Sequence, residues 1–192
     1  MFPATLCLLL ASCASNAPPQ QFDPLTYDYL TKLPLDVSSI DIDDWRPVQG
    51  GRHVEYLAPE PPAAALRRMA QDRLFAAGNG GRAHFIIEDA SLTRGEDMYQ
   101  GSFAVHLDVT AADGSPRGSV EARVVGTHPI TDTDYNDVRT DLYDLTKRLM
   151  SSMNVELEFQ INRSLRKDLQ STSPAAPGPA PVETQDLGAP PR

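Results

Sequence analysis

The residues able to do chemistry are two cysteines, four histidines, two acidic runs and one cluster of glycines. His53, His84, His106 and His128 fall one per segment, with no short metal spacing between any two. A zinc site needs three or four ligands converging on one point. His84 and His106 become neighbours only if the strands that carry them pair, and further ligands would still be required, so all four read as solvated strand histidines. Asp132-Thr133-Asp134-Tyr135-Asn136 begins like a calcium loop. Its sixth position is Asp137 in place of Gly and its twelfth is Tyr143 in place of Glu, so it fails where that loop is defined. Acids capping a helix explain the same residues. Gly78-Asn79-Gly80-Gly81 looks like a phosphate loop, but such a loop follows a strand and opens a helix. Here the glycines follow a helical pattern and read as its C-cap.

Asp41, Asp43 and Asp44 beside Trp45 suggest paired acids with a sugar-stacking ring. Glycoside hydrolysis needs two carboxylates facing each other across a cleft, which one run does not supply. Charges on a strand edge also discourage edge-to-edge pairing, and that is the simpler meaning. No Gly-x-Ser-x-Gly elbow and no His-Glu-x-x-His motif occurs. Asn162-Arg163-Ser164 matches a glycosylation acceptor but lies in a helical pattern. The expectation is a protein that is not an enzyme and has no catalytic residue, metal or cofactor.

The cysteines carry a different chemistry. Leu6 to Leu10 is a short apolar run closed by small residues, as a secretory signal requires, and far shorter than the ~20 residues that span a bilayer. Leu10-Ala11-Ser12-Cys13 resembles the lipobox of bacterial lipoproteins. That resemblance implies cleavage between Ser12 and Cys13 and acylation of Cys13, with palmitate among its chains, as the new N-terminus. Two or more chains anchor stably where a single one binds only marginally. Ala14 stands where an Asp would retain a lipoprotein in the inner membrane under the enteric sorting rule, so the resemblance implies an outer-membrane address and a body facing the periplasm. Cys7 would leave with the signal, and the mature chain would have no free thiol for a disulfide or a metal.

The net charge of −9 argues against nucleic acid or an anionic lipid surface as the main partner, since both attract basic patches. Charged residues at 22% and hydrophobic ones at 41% are globular proportions, and the length suits one core.

The elements follow from periodicity. Ala14 to Gln21 reads as a tether, and Asp23-Pro24 as the start of a short helix. Val37 to Asp43 and Arg52 to Ala58 alternate as strands around a Gly50-Gly51 turn. A helix is predicted from the Pro59-Glu60-Pro61-Pro62 stop to about Ala77, its stripe being Leu66, Met69, Ala70, Leu74 and Ala77. Arg67, Arg68, Asp72 and Arg73 lie largely off that stripe. Ala83, Phe85 and Ile87 mark a strand; Phe103, Val105, Leu107 and Val109 a second; Val120, Ala122 and Val124 a third, with Asp113-Gly114 as the hairpin between the last two. A stripe from Tyr135 to Leu169 predicts one helix of more than about 30 residues, with Ser151-Ser152 as the place for a break. From Ser171 onward Pro, Ala and Gly without periodicity predict disorder.

The expected organisation is a signal over 1–12, a lipidated tether over 13–22, an α+β periplasmic domain over 23–170 and a disordered tail over 171–192. Its fold class is a mainly antiparallel sheet packed against two helices, with a long C-terminal helix. This layout, with the anchor, resembles the auxiliary lipoproteins of lipid-transporting ABC systems and, less closely, the LPS-assembly lipoprotein. Met153-Asn154-Val155-Glu156-Leu157-Glu158 resembles a signature of uncharacterised proteobacterial lipoproteins. The resemblance implies an accessory or adaptor in an envelope transport or assembly complex, partnered by the membrane and an envelope protein. The alternative is a module carrying a lipid or small ligand, with Met69, Met150 and Met153 as adaptable lining.

Overall fold

The computed structural model describes residues 20–43, 52–131 and 134–171. Ser12, Cys13, Cys7, Ala14, Asp44, Trp45, Gly50, Gly51, Asp132, Thr133 and the tail from 172 lie outside the described residues. The elements run β1 (Leu33–Leu35), β2 (Ser39–Asp43), a 3-10 turn (Glu55–Leu57), α1 (Pro62–Arg73), β3 (Leu74–Ala76), β4 (Arg82–Arg94), β5 (Met98–Thr110), β6 (Pro116–Pro129) and α2 (Tyr135–Ser171). The fold is α+β.

Alternation builds the centre of the molecule. Phe85 and Ile87 of β4, Phe103, Val105 and Leu107 of β5, and Val120 and Ala122 of β6 all turn to one face and are buried. The sheet order is β2-β4-β5-β6; β2 runs parallel to β4, and the other two pairs are antiparallel. β4 continues well past Ile87, where the sequence pattern stops, because the register with β5 shifts between Ile87 and Asp89. The bulge changes the parity of the inward positions, so Ala90 and Leu92 succeed Ile87 in the core. At the β5–β6 hairpin Gly114 takes a φ of 82°, the left-handed conformation that the turn at Asp113-Gly114 calls for.

α2 crosses the covered face over β6 and β5. Leu142, Leu145, Leu149, Met150, Met153, Leu157 and Ile161 form its buried stripe. A Cβ on Gly101 of β5 would stand 2.3 Å from Leu149 Cδ1, so the bare strand lets the helix approach. Asp134 Oδ1 accepts the amides of Asn136 and Asp137 at 2.7 and 3.1 Å, satisfying the first turn as the acids predicted. The helix is unbroken at Ser151-Ser152, where the Ser151 hydroxyl donates to the Lys147 carbonyl one turn back. Met69, Met150 and Met153 are packed inside the core.

Four local expectations are corrected. Asp23-Pro24 opens no helix; the chain from Gln20 to Pro24 has no regular structure. Arg52 to Ala58 is a single bridge, His53 with Thr93, followed by the 3-10 turn. There the Glu55 carboxylate is drawn inward to accept from the amide of Leu92 at 3.0 Å, which bends the segment off the sheet. α1 stops at Arg73 rather than near Ala77, and Leu74–Ala76 passes straight into β3, parallel to β1. The Gly78–Gly81 run is therefore no helix C-cap but the turn from β3 to β4, with the Ala77 and Gly78 amides donating to Leu35 and Val37.

Arg73 explains that stop. Its side chain is 2% exposed. Nε donates to the Thr31 carbonyl at 2.8 Å, Nη1 to Asn154 Oδ1 at 2.8 Å and Nη2 to Glu158 Oε2 at 2.6 Å. The guanidinium joins the N-terminal segment, α1 and α2. Replacing Arg73 with Leu strands the buried Asn154 carbonyl, while half-exposed Glu158 can turn to water. The expected cost is about 3 kcal/mol of unfolding free energy, measured by urea titration; a loss below about 1 kcal/mol would remove Arg73 from this role.

Candidate functional site

Cys13, expected to be lipidated, and Ser12, expected to precede the cut, lie outside the described residues, but from Gln20 onward the chain enters the body along a defined path. Phe22 packs on the ring of Tyr143 with centroids 5.0 Å apart, under the guanidinium of Arg139. The Tyr143 hydroxyl donates to the Asp23 carbonyl at 2.8 Å. The Leu25 amide then donates to Glu60 Oε2 at 2.8 Å, and the Tyr27 amide to Asp72 Oδ2 at 2.9 Å. Arg68 donates to both Glu60 and the Leu25 carbonyl. Arg68 and Asp72, which lie off the apolar stripe of α1, and Glu60 just before the helix thus hold the N-terminal segment as a strap across α1 and α2.

Tyr27 carries the unsatisfied polar group of this strap. Its hydroxyl is buried and finds no hydrogen-bond partner among the described residues. Burial, and then the nearby Glu60 carboxylate, raise the phenol well above its ordinary value of 10.0. A raised folded value means that the folded state holds the proton more tightly, so the stability it carries is present below about pH 10 and lost as pH rises beyond. Tyr27→Phe removes the orphan hydroxyl and is expected to add about 1 kcal/mol at neutral pH. It should also flatten the alkaline fall in the urea midpoint. Parallel curves for the two proteins from neutral to alkaline pH would refute the assignment.

The second candidate is the open face of the sheet. β4 and β5 do pair, and they bring His84 and His106 to one face, with Asp108 opposite His84 and Ile86 opposite His106. Each imidazole is engaged by a carboxylate: His84 Nε2 lies 2.8 Å from Asp43 Oδ2, and His106 Nε2 lies 2.9 Å from Asp108 Oδ1. Asp41 sits 3.4 Å from Arg82 Nε. A depression of about 890 Å³ opens at the end of this face, lined in part by Asp41, Asp43, His84, Asp108 and Ser119. Such a surface offers acceptors to a cationic or hydrogen-bonding group. Among the described residues no three His, Cys, Asp or Glu side chains converge as metal ligands.

The remaining predicted residues are dispersed. His53 Nδ1 lies 2.8 Å from Glu55 Oε1. His128 joins a lock between β6 and α2: Arg148 donates to its Nδ1 at 2.8 Å, and its Nε2 donates to Asp141 Oδ1 at 3.1 Å. Asp141 is buried and also accepts the Thr131 amide and hydroxyl at 2.9 and 2.8 Å. Asp134 and Asp137 belong to the start of α2. Glu55, Glu60, Arg73, Asp141 and Asn154 are buried polar groups that periodicity did not single out, because their partners are remote in sequence.

The chain matches no protein-family model. No curated protein matches it either. Solved structures with a partial likeness include a protein of Caulobacter crescentus CB15 provisionally described as a lipoprotein, at 15% identity and a TM-score of 0.37, covering 52% of this chain and 74% of that one. Another is a Xanthomonas campestris protein of the DUF330 family, at 10% identity and a TM-score of 0.41, covering 78% of this chain and 96% of that one. At these scores the likenesses carry no argument about function. No helix among the described residues is long and apolar enough to cross a membrane.

Proposed function

We propose that this chain is a lipoprotein of the bacterial envelope, anchored through acylated Cys13 at the periplasmic face of the outer membrane. It serves there as a non-catalytic accessory or adaptor of an envelope transport or assembly complex. The observation that carries the reading is the apolar run closed by Leu10-Ala11-Ser12-Cys13. The strap supports it: only six residues lie between Cys13 and Gln20, a reach of at most about 25 Å, so the tether would keep α1 and the start of α2 close to the membrane. The open face of the sheet, with its carboxylates and the 890 Å³ depression, is the surface this reading assigns to an envelope partner.

Metabolic labelling with a palmitate analogue, followed by membrane fractionation, tests the anchor. Wild type should carry label and sediment with membranes, and Cys13→Ser should lose both. Equal behaviour of the two proteins would remove the lipoprotein reading. Crosslinking in whole cells should then recover an envelope protein from wild type, with the yield falling at least about fivefold in an Asp41→Lys, Asp43→Lys double variant if the open face is the contact.

A further inference from the structure

The four-stranded sheet ends in two unlike edges. β2 is 5 residues long and presents Asp41 and Asp43, the short charged edge that resists pairing. β6 is 14 residues long, and among the described residues no strand pairs with its outer side. Its register with β5 runs unbroken from Met98↔Pro129 to Val109↔Gly118, so no bulge twists this length of edge away.

The ladder tells which groups the edge offers. Ile130 donates its N–H to the Asp97 carbonyl at 2.9 Å, in step with the same register. Residues of an antiparallel strand alternate between bonding to the neighbour and facing away from it. The even-numbered residues of β6 from 118 to 128 therefore turn to β5, and the odd-numbered ones turn outward. Two observations agree with that parity. Pro129, which has no N–H to lose, falls on an outward position. The outward carbonyl of Thr127 accepts from Arg148 at 3.1 Å, which closes the edge there. Ser119, Glu121, Arg123 and Val125 keep their backbone groups directed outward and are exposed, Val125 to 65%.

We propose that this edge is an interface with a second copy of the chain, β6 pairing antiparallel with β6 of the partner about a two-fold axis through Ala122. The charges choose the register. Centred on Ala122, Glu121 of each copy faces Arg123 of the other, twice by symmetry. Ser119 then faces Val125, and Val120 faces Val124. Moving the axis by one residue sets Glu121 against Glu121 or Arg123 against Arg123, and like charges directly opposite are unfavourable. In the favoured register the outward residues of both copies meet each other and form about eight N–H···O bonds. The contact is isologous and closed, so it covers the long edge without seeding a filament.

Sedimentation of the full-length chain in detergent, over a concentration series, tests the proposal. Wild type is expected to form a dimer. Glu121→Arg and Arg123→Glu should each weaken it at least about tenfold, and the double reversal Glu121→Arg, Arg123→Glu should restore it to within about threefold. Val125→Pro removes an outward N–H without touching the β5 ladder, and it should also disperse the dimer while circular dichroism stays unchanged. A wild type that remains monomeric throughout, or a dimer indifferent to both single reversals and to Val125→Pro, would overturn the proposal.

Discussion

A single buried cation holds three separate stretches of this chain in place. Taking the Arg73 guanidinium out of water is costly, and the cost is met only where acceptors are ready on several sides. Thr31, Asn154 and Glu158 supply them from the N-terminal segment and from the middle of α2. The consequence reaches beyond the ion pair. With Arg73 fixed, α1 ends there and the chain leaves extended into β3, which pairs with β1 and draws the N-terminal segment into a second small sheet. Asn154 and Glu158 lie within the Met153–Glu158 stretch, so those polar positions of α2 answer to a packing requirement.

α1 and the residues just before it continue the same logic. Glu60, Arg68 and Asp72 use their charges on backbone groups of residues 25 to 27, and the ring pair of Phe22 and Tyr143 ends the strap on α2. Under the anchoring proposed for Cys13, this arrangement matters for more than stability. A short tether attached to a docked strap transmits the position of the membrane to α1 and α2. A flexible entry would leave the body free to turn.

The two faces of the main sheet divide the labour. The covered face is apolar and close-packed, with Gly101 giving Leu149 its seat. The open face carries imidazole–carboxylate pairs that are satisfied locally, His84 with Asp43 and His106 with Asp108. Asp43, His84 and Asp108 also line the depression, which gives the proposed adaptor role a polar surface to present. The His128–Asp141–Arg148 lock serves a different end, pinning the start of α2 to the last strand and capping the free edge of β6 at Thr127.

Local patterns settled much of this fold. Alternation in β4, β5 and β6 and the stripe of α2 were legible in the sequence because each depends on neighbours within a few residues, as did the Asp113-Gly114 hairpin and the acids opening α2. The proposal for Cys13 likewise rests on a purely local pattern. What only the tertiary structure decided involves partners far along the chain. The apolar stripe of α1 runs on through Leu74 and Ala77, yet those residues leave the helix because Arg73 is claimed by groups 42, 81 and 85 positions away. The bulge after Ile87 hid the second half of β4 by switching its inward parity, and a buried Glu55 turned an alternating segment into a 3-10 turn. The meeting of His84 and His106 on one face required the pairing of two strands. A periodic pattern records which side of an element is apolar, but not which remote acceptor will hold a buried charge.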